Sequence, residues 1–121
     1  MQKTQEIKPM STLTHGIDAA YIRSRIAELR EQKEVSEYQM SLALGRGKSY
    51  IQNIMVGKAL PSLTEFLKIC GYLSVTPKEF FDTSMKNPTL FNYAVDKMRI
   101  FDECGIKALL GIMDMLLKRV G

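Results

Sequence analysis

The sequence predicts an all-α chain, with five helices in one domain followed by two more at the C-terminal end. Three observations carry that expectation. Apolar residues recur at three- and four-residue intervals over most of the chain, the repeat that gathers them on one side of a helix. Side chains suited to capping (Asp18, Ser36, Ser62, Thr76 before Pro77, and Asp102) precede these runs. Gly45 and Gly57 stand where two of the runs stop, as residues that tolerate positive φ do at helix ends.

At 121 residues, 45% hydrophobic and 25% charged, the chain is long enough to bury a core and has the composition of a soluble globular protein. No apolar run approaches the roughly 18 residues of a membrane span. The opening MQKTQEIKPMSTLTHG is polar and lacks the apolar centre of a secretion signal, so the expected location is cytoplasmic. Cys70 and Cys104 fall in apolar helical contexts and read as buried thiols, with neither a disulfide nor a zinc site indicated. Charge is uneven along the chain. Residues 21–81 carry nine Lys/Arg against six Asp/Glu, residues 1–20 balance, and residues 82–121 exceed by one. The positive bias of the central segment suits a polyanionic partner.

Enzymatic chemistry has no footing in these residues. The single histidine, His15, lies in a segment without periodicity and has no adjacent nucleophile or carboxylate set. Glu28, Glu31 and Glu34 read as a solvated helix face, and Gly45-Arg46-Gly47 is too short for a phosphate loop. No cofactor motif, metal-ligand cluster or effector pocket is legible.

Residues 1–17 read as a flexible arm. From Asp18 to Gln32, Ile22, Ile26 and Leu29 mark the core side of the first helix, with Arg23, Arg25, Arg30, Glu28 and Glu31 covering the other. Ser36 caps a second helix over Glu37–Leu44, and Gly47 precedes a third over Lys48–Val56. Ser62 starts a fourth, reaching about Leu73, with Leu63, Phe66, Leu67, Cys70 and Leu73 as its core stripe. Thr76-Pro77 opens a short fifth, whose Phe80-Phe81 pair closes the core. Asn87-Pro88 marks a boundary between a domain over 18–86 and a segment over 87–121. Two helices follow there, Thr89–Phe101 and Glu103–Arg119.

The most informative stretch is Ser36–Gly57, SEYQMSLALGRGKSYIQNIMVG. Small Ser41 lies four residues before Gly45, which allows two helix backbones to approach closely. Gly45 supplies the turn, and Ile51 and Ile54, three apart, hold the following helix inward. This is the helix-turn-helix spacing, in which the second helix is offered to the DNA major groove. With the isoleucines inward, Lys48, Ser49, Gln52 and Asn53 point outward with amine, hydroxyl and amide groups that suit base edges. Arg46 and Lys58 are placed for the DNA backbone, and Tyr50 either packs on the core or donates to a phosphate.

Residues 22–81 resemble the Cro/CI-type, XRE-like helix-turn-helix family of bacterial and phage regulators. The resemblance rests on IAELREQKEVS, the helix-turn-helix itself, IMVGKALPS and LTEFLKICGYLSVTPKEFF, in the family's order and spacing. It implies a five-helix lambda-repressor-like domain that binds operator DNA as a dimer. The last segment is similar to the helical pair that some regulators of this type carry. Departures accompany the likeness. Glu37 stands where members often place a phosphate-reaching glutamine, Arg46 where an apolar residue is common, and Met55 and Val56 where a charge often follows.

Leu90, Phe91, Ala94, Met98 and Phe101 form one stripe in the C-terminal segment. Ile106, Leu109, Leu110, Met113, Leu116, Leu117 and Val120 form another, with Ile112 and Met115 outside it. That is more apolar circumference than one neighbour covers, so Ile106, Leu109, Ile112, Met113, Leu116 and Leu117 are the candidate homodimer contacts, the alternative being a wider intramolecular core. The combined expectation is a dimeric, sequence-specific DNA-binding regulator, a repressor on a palindromic operator. The rival is a protein-binding module on the same scaffold, an antitoxin or an antagonist of another regulator, suggested by Glu37 and the Tyr38/Leu42 pair.

Overall fold

The computed structural model describes residues 16–120. The arm expected over residues 1–17, and His15 with it, lies outside the described residues except for its last two positions. Seven helices are present among the described residues, and the chain divides into two compact units at the Asn87–Pro88 junction.

The first unit is built from α1 (Ala19–Lys33), α2 (Glu37–Ala43), α3 (Tyr50–Met55), α4 (Leu63–Tyr72) and α5 (Pro77–Phe80). The starts of α1, α2, α4 and α5 each have a local cause. Asp18 accepts from the Tyr21 amide at 2.9 Å. Ser36 with Gln39 and Thr76 with Glu79 form reciprocal capping boxes, and Ser62 accepts from the Glu65 amide. Each end of α1 to α4 is closed by a pair of amides turning back on the last carbonyls, with Glu34, Gly45, Gly57 and Ser74 in the left-handed region. Ile26, Leu29, Met40, Ile51, Ile54, Phe66, Ile69, Cys70, Leu73, Val75 and Phe80 make the core. Phe66 and Phe80 meet edge-on at 4.9 Å, with Tyr21 and Phe81 against them.

Four positions differ from the sequence expectation in their burial. On α4 the buried arc is Phe66, Ile69, Cys70 and Leu73, while Leu63 is 76% and Leu67 52% exposed. The two leucines lie at the flank of that arc by helical period, so their spacing alone mimics core. Arg25, read as a solvated charge, is buried. Its Nε donates to the Phe80 carbonyl at 2.9 Å, Nη2 to those of Glu79 and Met85, and Nη1 to Lys86 O and the Glu28 carboxylate. A buried guanidinium with its donors engaged in this way ties α1 to α5 and the segment after it. Cys104 is exposed, whereas Cys70 is buried and its thiol is pushed up to about 11 by that burial.

The second unit holds α6 (Pro88–Met98) and α7 (Glu103–Val120). α6 stops three residues before Phe101 because its end tightens into i→i+3 bonds, Ile100 to Lys97 and Phe101 to Met98. Asp102 caps α7 through the Gly105 amide at 2.8 Å. Val95, Met98, Ile106 and Leu109 are half-buried, while Leu90, Phe91, Phe101, Leu110, Ile112, Met113, Met115, Leu116 and Leu117 are exposed. No described helix is long and apolar enough to cross a membrane.

Candidate nucleic-acid interface

α3 is only six residues long, too short to persist without tertiary support. Both of its ends and its inner face are held. Inward, Ile51 and Ile54 are fully buried. At the C-terminal end Arg23 of α1 donates through Nε to the Ile54 carbonyl at 3.0 Å, a cation where the helix dipole is negative. Gly57 and Lys58 close the same end through their amides, on Ile54 O and Asn53 O.

The N-terminal end uses a borrowed cap. Ser49 occupies the cap position but makes no side-chain cap bond. The Ile51 amide instead donates at 3.0 Å to Oγ of buried Ser41, whose hydroxyl donates at 2.7 Å to the Glu37 carbonyl. Ser41 is therefore more than a small residue at a crossing. It supplies the acceptor that the first turn of α3 lacks, and it leaves the Ser49 hydroxyl outside that task. The sequence signal was only the residue's size and its place four before Gly45.

The helix also begins later than its apolar spacing suggests. Lys48 and Ser49 form the two middle residues of a tight turn closed by the Tyr50 amide on the Gly47 carbonyl at 3.0 Å. They stand at the mouth of α3 rather than within it, and both are exposed. Gln52 is exposed one turn in, Asn53 is half-buried, and Lys58 is exposed just past the helix end. Lys48, Ser49 and Gln52 thus share the free end of the helix, with Asn53 partly withdrawn from it.

Two residues expected at the DNA backbone sit otherwise. Tyr50 is turned inward and its hydroxyl is enclosed beside the Glu65 carboxylate, so that atom does not reach a phosphate in this conformation. Burial, aided by the nearby Glu65 carboxylate, holds its phenol up at about 12. Arg46 lies over the Tyr50 ring, 4.6 Å from its centroid, and donates to Glu65 Oε2 at 3.0 Å. Its charge already has a partner. Glu65 was not singled out by sequence reasoning, since nothing in the spacing links position 65 to the turn. The candidate dimer contacts Ile106, Leu109, Ile112, Met113, Leu116 and Leu117 all lie on α7 in the second unit, away from this face in sequence, and only the first two are half-buried.

A family model described as Helix-turn-helix matches residues 26–80, from the core of α1 to the end of α5. No curated protein and no solved structure matches the chain. With α2 and α3 joined through Gly45, the isoleucines of α3 buried and the polar residues at its mouth exposed, residues 26–80 form a helix-turn-helix domain, a kind of module that supports a DNA-binding regulator in general.

Proposed function

We propose that the protein is a sequence-specific repressor that binds a palindromic operator as a dimer, with α3 as its reading helix. The observation that carries this reading is the exposed polar cluster of Lys48, Ser49 and Gln52 at the mouth of a helix whose inner face and backbone ends are held. Lys48 suits a guanine edge, Gln52 the N6 and N7 of adenine, and Ser49 either, with half-buried Asn53 as a secondary contact. Lys58, exposed beside the α3 end, suits a phosphate and so adds affinity without sequence preference.

Gln52→Ala tests the base-reading role. It removes an exposed side chain, so folding stability stays within about 0.5 kcal/mol of the parent. Binding to the preferred duplex weakens by about 1–3 kcal/mol and preference relaxes at one base pair. Mobility-shift titrations on the preferred duplex and its single-base variants read both, and equal loss on every duplex contradicts the assignment.

Dimerisation is supported by the apolar side chains exposed on α7. Single modules contact few bases, whereas two copies about a two-fold axis read half-sites about 34 Å apart. A second reading, a protein-binding module, draws on exposed Tyr38 and Leu42, four apart on α2. Weak, salt-insensitive affinity for random duplex at low salt would favour it over the first.

A further inference from the structure

Three helices of the first unit begin with the same pattern, Ser or Thr followed three residues later by Glu or Gln, and one of them uses it differently. At α2 the Gln39 side chain returns to the Ser36 amide at 2.8 Å, and at α5 Glu79 returns to the Thr76 amide at 2.9 Å. At α4 the first half of the exchange is present, the Glu65 amide donating to Ser62 Oγ at 3.2 Å. The second half is missing. The Glu65 carboxylate turns instead to Arg46, in the turn ahead of α3. It is well enclosed, at 18% exposure against 46% for Arg46. The Tyr50 ring beneath the guanidinium completes a three-part contact between the turn, α3 and α4.

An arginine at the edge of a reading helix has two uses. Free, it binds any phosphate, and raises affinity for every sequence alike. Bound to a carboxylate, it offers little net charge to the DNA backbone and becomes a strut. We infer that Glu65 is a specificity-determining positioning residue: it engages Arg46 internally, withholds that cation from indiscriminate phosphate binding, and through it fixes the turn that sets where Lys48 and Ser49 stand. This rests on the DNA reading proposed above. It reassigns Arg46 from a backbone contact to a support of the base-reading end.

The Arg46 backbone is already committed to the same geometry, since its amide closes the end of α2 on the Ser41 carbonyl at 3.0 Å. Ser41 in turn holds the Ile51 amide. The strut, the turn and the borrowed cap therefore converge on the first turn of α3, and loss of the Glu65 charge loosens the side-chain half of that arrangement while leaving the backbone half intact.

The test uses the full chain and two probes, a random-sequence duplex and a duplex enriched by selection from a random pool, each titrated across salt. Glu65→Gln keeps size and the backbone cap but removes the charge. On random duplex it steepens the log–log salt dependence by about 0.9, so affinity changes about threefold more between roughly 50 and 200 mM than for the parent. The ratio of selected to random affinity falls. Arg46→Ala leaves the salt slope at the parental value and lowers the same ratio. The double variant keeps the slope of Arg46→Ala, because the released cation is gone.

A flattened slope in Arg46→Ala would show the arginine already on a phosphate and overturn the inference. So would an unchanged slope in Glu65→Gln, or the same steepening with and without Arg46, which would reflect charge removal at a distance. Thermal unfolding establishes that each variant folds, and if Glu65→Gln does not, the slope of Arg46→Ala alone decides. Parental protein without salt-dependent affinity for either duplex would remove the DNA reading and this inference with it.

Discussion

Replacing the Ser41 hydroxyl by hydrogen leaves the Ile51 amide buried without its acceptor. Such a loss costs about 1–3 kcal/mol, so Ser41→Ala is expected to lower unfolding free energy by that amount. Ser49→Ala, at the nominal cap, is expected to stay within about 0.5 kcal/mol of the parent because no cap bond is lost. Chemical denaturation of the two variants measures the difference, and the reverse order would contradict the borrowed cap. Tyr50 and Cys70 contribute to the alkaline limb, as does Tyr21, whose phenol burial also raises. The folded-state values of Tyr50 and Cys70, about 12 and about 11, lie above the ordinary 10.0 and 9.0, so the folded chain keeps protons that the unfolded chain releases. Stability from both groups is therefore complete below about pH 9 and declines as pH rises towards 12. Tyr50→Phe should make that decline shallower between about pH 10 and 12 in pH-dependent unfolding.

Among the elements, those that bury a simple face and end on a named residue were legible in the sequence. α2 lies between Ser36 and Gly45, and α5 between Thr76 and Phe81, close to where caps and apolar spacing placed them. The helix-turn-helix was legible for the same reason, since Ser41, Gly45, Ile51 and Ile54 report a crossing through size, turn chemistry and period. What escaped depends on tertiary partners distant in sequence. Arg25 is one residue from Ile26 and falls on the edge of the core side, but its burial requires carbonyls 54 to 61 residues away. Leu63 and Leu67 fit a core spacing and yet flank it, because Ile69 fixes the phase of α4. The late start of α3 has the same origin. A residue of another helix caps it, so the glycine that looked like its start, Gly47, became the first residue of a turn. At the candidate interface, Lys48, Ser49 and Gln52 were legible as exposed polar groups, whereas the inward turn of Tyr50 and the capture of Arg46 by Glu65 were not.

For the whole molecule, the two units differ in how well they satisfy their own apolar groups. The first encloses its large core side chains around Phe80, Ile26 and Met40. The second leaves much of α7 open to solvent, Leu117 at 67% exposure among its apolar residues, and exposed apolar surface supports the proposal of an interaction site. The proposal that it pairs two copies gives the molecule its division of labour: one unit reads, the other doubles the reading. The most direct measurement is selection of bound duplexes from a random oligonucleotide pool, run with the full chain and with the chain ended at Asn87. The account predicts that the full chain enriches inverted half-sites with centres about 34 Å apart, and that the shortened chain binds only single half-sites, far more weakly. A full-chain pool that never departs from its starting composition would contradict it.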